Sequence, residues 1–146
     1  KAQILLGRGE GDQAVEALKY AYSLNEEYHQ SACHLGKTLL YTKQEEEAFT
    51  YIDRCIDLNG ASLLAPAGQV KSFIGHYVEQ GDTERVTKLY EALVRMEPNN
   101  TNNMIELAKL YASQGLTEKA ISMAMKISEK DPTVTQYVSD FIEELQ

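Results

Sequence analysis

The chain has 146 residues, of which 43% are hydrophobic and 25% are charged, and its formal net charge is −8. This length fits one domain, and the composition is that of an ordinary globular protein. The acidic balance and the absence of tryptophan argue against a repeat protein that reads RNA through a basic surface. No apolar run approaches the roughly 20 residues that a membrane-spanning helix needs, so direct membrane insertion is not expected.

The first residues read as the end of a helix that is followed by a glycine-rich turn. A phosphate-binding loop would need a strand before these glycines, and no strand pattern occurs in the chain. Asp12 is expected to cap the next helix, which should run to about Leu24. The chain begins with Lys1 and shows no signal-peptide pattern, so we expect a piece of a longer protein. Its compartment is undetermined, with the cytoplasm as the default.

The second helix pair begins near Tyr28 and carries both cysteines of the chain. His29 and Cys33 are spaced to touch one metal ion, but a structural zinc site needs about four ligands, so we expect no metal and no other cofactor. Cys33 and Cys55 could in principle pair with each other. Because Cys55 aligns with apolar residues elsewhere in the chain, it is expected to be a buried free thiol, and two free thiols favour a reducing compartment.

An irregular segment, residues 59–66, follows the second helix pair. Gly60 fits a helix C-cap and Ser62 an N-cap, so the extra residues are expected to add one turn to the next helix, with Pro66 in that turn. The alternative is a loop that leaves Leu63 and Leu64 partly exposed as a contact patch.

Residues 103–132 show the clearest pattern, two short amphipathic helices that fold back on each other. Gly115 is expected to end the first helix, and the Asp131–Pro132 pair the second. The two apolar stripes consist of Met104, Leu107, Ala108 and Tyr111, and of Ala120, Ala124 and Ile127. A further helix, capped by Thr133 and Gln136, is expected to close the chain with a polar outer end.

Similar helix pairs recur along the chain with a period of 34 residues. Ala14 and Ala48 are 34 apart, as are Val86 and Ala120, and only the step from Ala48 to Val86 is longer, at 38. A helix–turn–helix unit of this length resembles the tetratricopeptide repeat (TPR). The residues that carry the resemblance in the last unit are Leu107, Ala108, Tyr111, Gly115, Ala120, Ala124, Ile127 and Pro132.

The resemblance implies an all-α fold, a right-handed superhelical α-solenoid of stacked antiparallel helix pairs. It also implies a single domain over residues 1–146, with repeats at about 1–26, 27–60, 61–98 and 99–132 and a capping helix at 133–146. The function that it implies is a protein–protein interaction scaffold or adaptor, which holds a peptide or protein partner in a concave groove and has no catalytic activity.

The residues expected on the concave face are those of each first helix that point away from the buried stripe. They are Gln3, Gln30, His34, Lys37, Tyr41, Lys71, Ser72, Asn102, Glu106 and Lys109. Three of them are lysines in an acidic chain, which favours a partner with acidic groups or a free C-terminal carboxylate. The alternative is that these lysines only solvate the surface.

The carboxylate clamp of chaperone-binding TPR proteins is not matched. Gln3 and His34 stand where that pattern has asparagine, and Gly68 and Ser72 stand where it has lysine and arginine. An enzyme is not expected either, because no nucleophile or acid–base constellation can be placed. The second candidate is structural: a self-assembling TPR domain appended to a larger bacterial assembly protein, with a membrane-anchored machine as one setting.

Overall fold

The computed structural model describes residues 11–26 and 28–146. Within these ranges the chain forms α helices, two short 3₁₀ helices and no strand, so the predicted all-α fold of antiparallel helix pairs is confirmed. None of the helices described is both long enough and apolar enough to cross a membrane. The α helices are α1 (Gly11–Leu24), α2 (His29–Tyr41), α3 (Glu45–Asp57), α4 (Ala67–Glu79), α5 (Thr83–Met96), α6 (Thr101–Ser113), α7 (Thr117–Lys130) and α8 (Thr135–Leu145). The 3₁₀ helices are Ala61–Leu63 and Pro132–Val134.

The chain divides into two compact units, and the boundary falls inside α4, between Lys71 and Ser72. In the first unit α2 packs against both α1 and α3. On each of these helices, apolar residues spaced three and four positions apart form a stripe that faces the neighbouring helix. Burial of these stripes stabilises the helical conformation. The buried residues of this core include Ala14, Val15, Leu18, Leu35, Leu39, Ala48, Ile52 and Ile56.

The first helix of the described region ends at Leu24, as predicted, but Asp12 does not cap it. Gly11 and Asp12 are both helical, so Asp12 lies within the described helix Gly11–Leu24 and not before it. Gly11 is buried so closely against Thr42 that an added Cβ would lie 2.7 Å from the Thr42 Cγ2 atom. The carboxylate of Asp12 still suits the position, because the helix dipole favours negative charge in the first turn.

The two helices α2 and α3 make their closest approach at Gly36. A Cβ atom added there would lie 2.6 Å from the Ile52 Cγ1 atom and 3.1 Å from the Ile52 backbone nitrogen. Ala48, which is fully buried, faces the same point, with its carbonyl oxygen 3.4 Å from the added atom. Small residues on both helices therefore set the spacing of this pair.

A disulfide bond between Cys33 and Cys55 joins α2 to α3, with an S–S distance of 1.96 Å and a Cα–Cα distance of 4.8 Å. The two sulfur atoms lie 3.4 Å and 3.3 Å from the carbonyl oxygen of Gly60. Both cysteines are buried, so the predicted burial of Cys55 is confirmed. The prediction of a free thiol is wrong, because the antiparallel pairing places the two cysteines opposite each other, and the argument for a reducing compartment falls with it.

In the second unit α6 packs against α5 and α7, and α8 packs against α7. The seven residues of the two predicted stripes, on α6 and α7, are all buried. They form two apolar clusters, and Phe141 of α8 packs against both of them. The last helix therefore covers apolar surface that the α6–α7 pair leaves open.

Tyr111 connects α6 to α5 through a hydrogen bond at the edge of this core. Its hydroxyl donates to the Glu91 Oε2 atom over 2.5 Å. Burial and the neighbouring Glu91 carboxylate raise the pKa of the Tyr111 hydroxyl well above its ordinary value. The hydroxyl therefore remains a proton donor, and the contact is a charge-assisted hydrogen bond.

The segment after α3 differs from its prediction. Asn59, with a φ of 62°, takes the left-handed position that was assigned to Gly60. The extra residues form the separate 3₁₀ helix Ala61–Leu63, and α4 begins only after Pro66, so the predicted additional helical turn is wrong. The alternative is correct in part, because Leu63 is 39% exposed while Leu64 is buried.

The capping box predicted for the last helix is also wrong. The chain forms the 3₁₀ helix Pro132–Val134 first, and the Asp131 side chain accepts a hydrogen bond from the Thr133 backbone amide over 3.1 Å. Gln136 then bonds along its own helix, to the Asp140 side chain over 2.9 Å. Asp131 is the better acceptor here, because its carboxylate precedes the turn and carries a full charge.

Besides the connection that contains Asn59, three described helix-to-helix turns contain a residue in the left-handed region. Gly81 and Gly115 have φ values of 70° and 76°, and Gly115 follows the end of α6 as predicted. In the turn between α2 and α3 the equivalent residue is Lys43, with a φ of 63°. A residue with a Cβ atom is strained in this conformation, whereas glycine is not.

Replacement of Lys43 by glycine is expected to raise the free energy of unfolding by about 0.5–1 kcal/mol, because the strain exceeds the extra entropy of glycine in the unfolded chain. Urea denaturation measures the change. Lys43→Ala is the control and should leave the stability nearly unchanged, since alanine is strained in the same way. An equal gain from both variants would contradict this explanation.

The disulfide is expected to stabilise the protein by about 3 kcal/mol, because it closes a loop of 22 residues in the unfolded chain. A thiol reductant should lower the free energy of unfolding of the wild type by about this amount. The Cys33→Ala/Cys55→Ala variant should give the same value with and without reductant. If the protein contains two titratable thiols before any reductant is added, the disulfide bond does not form.

Candidate functional site

Four of the predicted binding residues lie on one face of α2, because they follow each other at helical spacing. Gln30, His34, Lys37 and Tyr41 are separated by four, three and four residues. The opposite side of the helix is anchored in the core through residues such as Leu35, so this face is directed away from the buried stripe. Tyr41 is 68% exposed at the end of the row.

Three of these four residues line one cavity in the first unit. The cavity has a volume of about 170 Å³, and its walls are Gln30, Cys33, His34, Lys37 and Leu63. Pockets for drug-sized ligands usually measure about 300–1,000 Å³, so this one suits a single side chain better than a whole small molecule. The structure therefore brings Gln30, His34 and Lys37 together, as the predicted binding face requires.

The ammonium group of Lys37 is held in place at the wall of this cavity. Its Nζ atom donates a hydrogen bond to the Leu63 carbonyl oxygen over 3.2 Å. Among the residues that the structure describes, no carboxylate forms an ion pair with Lys37. An ammonium group has three N–H donors, so donors remain for a ligand.

His34 lies one helical turn before Lys37 and is partly buried. Burial, and then the positive charge of Lys37, lowers the pKa of the His34 imidazole below its ordinary value of 6.5. Both effects disfavour a second positive charge in the cavity. Near neutral pH the site therefore combines one ammonium group with a neutral imidazole.

Two further residues complete the wall of this cavity. Cys33 lines the cavity with its buried side chain, and its disulfide to Cys55 ties this wall to α3. Leu63 arrives from the 3₁₀ helix after α3. The sequence signal for Leu63 was the four-residue insertion in the repeat. It had given the alternative prediction of a loop that leaves Leu63 and Leu64 partly exposed as a contact patch.

Lys71, also in the first unit, is exposed on α4. It does not belong to the residues that line the cavity on α2. Gln3 lies outside the described residues.

The second unit contains the other predicted residues: Ser72 of α4, and Asn102, Glu106 and Lys109 of α6. All four side chains are exposed. The Lys109 Nζ atom lies 3.8 Å from the Glu106 Oε2 atom, and each side chain is about half exposed. The positive charge of Lys109 is therefore partly compensated by its own helix, unlike that of Lys37.

Family models for the tetratricopeptide repeat match the chain at two places, residues 29–62 and residues 77–139. The first match covers α2 and α3 and ends inside the 3₁₀ helix after them, and the second runs from the end of α4 into α8. Together the matches extend over well more than half of the chain.

The chain is similar to a curated relative, the BBSome complex member BBS4 of Bos taurus. The two are 26% identical over 133 residues, which are 90% of this chain and 24% of the relative. The chain thus spans about a quarter of that protein's length.

The chain is also similar to two crystal structures of MamA. They superpose with TM-scores of 0.49 and 0.43 at 16% and 15% identity, over 94% of this chain and 77% and 78% of theirs. From the matches to the repeat models and the antiparallel helix pairs, we conclude that the chain belongs to the tetratricopeptide repeat family.

Proposed function

We propose that the chain is a non-catalytic interaction module that holds a peptide or protein partner against an exposed helix face, with the face of α2 in the first unit as the main candidate. Tetratricopeptide repeats are protein–protein interaction scaffolds and are in general not catalytic. The observation that carries the proposal is the cavity on α2, where Gln30, His34 and Lys37 meet. The Lys37 ammonium group is held by its hydrogen bond to the Leu63 carbonyl oxygen before any partner arrives, and such preorganisation lowers the entropy cost of binding.

The partner carries acidic groups or a free C-terminal carboxylate. Lys37, Lys71 and Lys109 each supply a positive charge to one of the proposed faces, while the chain as a whole has a net charge of −8. A positive charge on an otherwise acidic surface attracts an acidic partner to that position rather than to other parts of the surface. The hydrogen bond from Lys37 to the Leu63 carbonyl supports this reading, because it aims the ammonium group at the cavity.

Catalysis does not form part of the proposal. The cavity offers an imidazole and an amine, but the sulfur of Cys33 is bound in a disulfide, and none of the described residues on the wall has a hydroxyl group. An enzyme needs a nucleophile or an acid–base pair that converges on the same point. The residues on this wall are donors for a bound anion.

The second candidate is a structural role, in which the module self-assembles as part of a larger assembly protein. A membrane-anchored bacterial machine remains one setting for it. Two observations favour a structural role: the relative described above is a member of a complex and is much longer than this chain. In addition, Tyr20 and Leu24, one turn apart on α1, are 68% and 69% exposed and offer an apolar contact.

The primary test is binding to an array of acidic and free-carboxyl peptides. Peptides should bind the wild type, and the Lys37→Glu/Lys109→Glu variant should lose about tenfold in affinity, since each reversal replaces an attraction by a repulsion. The loss should shrink at high salt, because exposed charges are screened. Fluorescence anisotropy with the array hits measures both effects.

The matched control is Lys43→Glu/Lys126→Glu, which reverses one exposed lysine in each unit away from the proposed faces. It should keep the wild-type affinity. Equal losses in both double variants would mean that only net charge matters. Absence of any peptide binding, together with a light-scattering mass that is a multiple of 16.4 kDa, would favour self-assembly instead.

A further inference from the structure

The cavity on α2 has room for one side chain, and its walls differ in chemistry. Lys37 and His34 present nitrogen atoms, and Gln30 adds an amide. Leu63 and the sulfur of Cys33 supply the apolar part of the wall. Such a pocket matches a group that carries a negative charge on a short aliphatic stem, since the stem can contact Leu63 while the charge reaches Lys37.

The part of the cavity wall that the structure describes carries no negative charge. None of the five side chains that line the cavity is a carboxylate. One N–H donor of the Lys37 ammonium group bonds to the Leu63 carbonyl oxygen. This bond keeps the ammonium group close to the cavity without neutralising its positive charge. A carboxylate that enters therefore gains a charge-assisted hydrogen bond and displaces no ion pair of the described chain.

We infer that this cavity takes one aspartate or glutamate side chain from within the partner peptide, and that its capture is accompanied by proton uptake at His34. The inference rests on the proposed function and specifies its partner. A side chain suits the cavity better than a chain terminus, because its methylene stem fills the apolar part beside Leu63. A terminal carboxylate sits directly on the backbone and brings no such stem.

Proton uptake follows from the two effects that act on His34. In the free protein, burial and the charge of Lys37 hold its pKa below 6.5, so the imidazole is neutral at neutral pH. A bound carboxylate adds a negative charge beside the ring, and this charge favours the imidazolium form. Because the complex then binds a proton that the free protein does not, affinity rises as the pH falls towards the lowered pKa.

Among the residues that the structure describes, Lys37, on the same helix, is the charged residue that lowers the pKa of His34. The helices α1 and α3 pack against α2, but none of their charged side chains contributes to the shift. The 3₁₀ helix Ala61–Leu63, which also packs against α2, has no ionisable side chain.

The test uses short peptides that are acetylated and amidated at their ends and carry one central glutamate, each paired with its glutamine counterpart. The glutamate peptide should bind at least about tenfold more tightly than the glutamine peptide. From about pH 7.5 to about pH 5.5 its affinity should rise, at most tenfold per pH unit for one proton. Calorimetry in two buffers of different ionisation heat measures the proton uptake, and the imidazole signals in NMR locate it.

Two variants separate the parts of the inference. Lys37→Gln should remove the preference for glutamate over glutamine, whereas Lys43→Gln, an exposed lysine of the same unit outside the cavity, should keep it. His34→Gln should still prefer glutamate at about pH 7.5 but lose the gain on acidification. Retained helical circular dichroism in each variant excludes unfolding as the cause.

The outcomes distinguish the inference from the proposed function. Equal binding of the glutamate and glutamine peptides would overturn the inference while leaving peptide binding in place. A stronger response to peptides whose only carboxylate is the C-terminal one would also overturn it. If no peptide of any kind binds, the proposed function itself falls, and the inference falls with it. A glutamate preference that persists in Lys37→Gln would place the site elsewhere.

Discussion

The close approach of α2 and α3 at Gly36 is the constraint on which the first unit depends. No side chain fits between Gly36 and the Ile52–Ala48 segment, because even a single added carbon would overlap Ile52. The two helices can therefore bury their apolar stripes against each other without gaps, which is where most of the stability of a helix pair arises. In the second unit the positions equivalent to Gly36 and Ala48 are Ala108 and Ala120, which are also small and buried.

The same approach determines which face of α2 stays exposed as the proposed binding face. One helical turn before Gly36, Cys33 is brought within bonding distance of Cys55, and the disulfide secures the wall of the cavity. Residues on the other side of α2 cannot enter this contact, so His34 and Lys37 remain at the surface, where Leu63 completes the site. The packing of α2 against α3 and the position of the candidate site thus both follow from the way in which these two helices are aligned.

The repeat period predicted the fold well, because burial of a stripe such as Met104 to Tyr111 depends on helical spacing alone. It failed where local geometry competes with a general preference. Asn59 takes the left-handed position although Gly60 adjoins it, and Asp131 replaces Thr133 as the acceptor before the last helix. Such choices depend on contacts that a one-dimensional pattern does not contain.

Part of the candidate site could also be read from the sequence. The spacing of Gln30, His34 and Lys37 was sufficient to place them on one face, but the cavity needed Leu63, which comes from an insertion without a counterpart in the other repeats. The disulfide was within reach of the sequence, because the register places residues 33 and 55 across the helix pair. The equivalent residues of the second unit, Ile105 and Ile127, line one small apolar cavity.

Comparison of equivalent positions explains why the first unit offers the more selective site. Lys37 and Lys109 occupy the same place in their repeats, 72 residues apart, and each follows another polar residue by three positions. That residue is His34 in the first unit and Glu106 in the second. Glu106 lies 3.8 Å from Lys109 and offsets its charge, whereas His34 cannot do so and instead gains a proton when an anion binds. A single difference on a shared scaffold can therefore give one repeat an anion-binding, pH-responsive site and leave its counterpart nearly neutral.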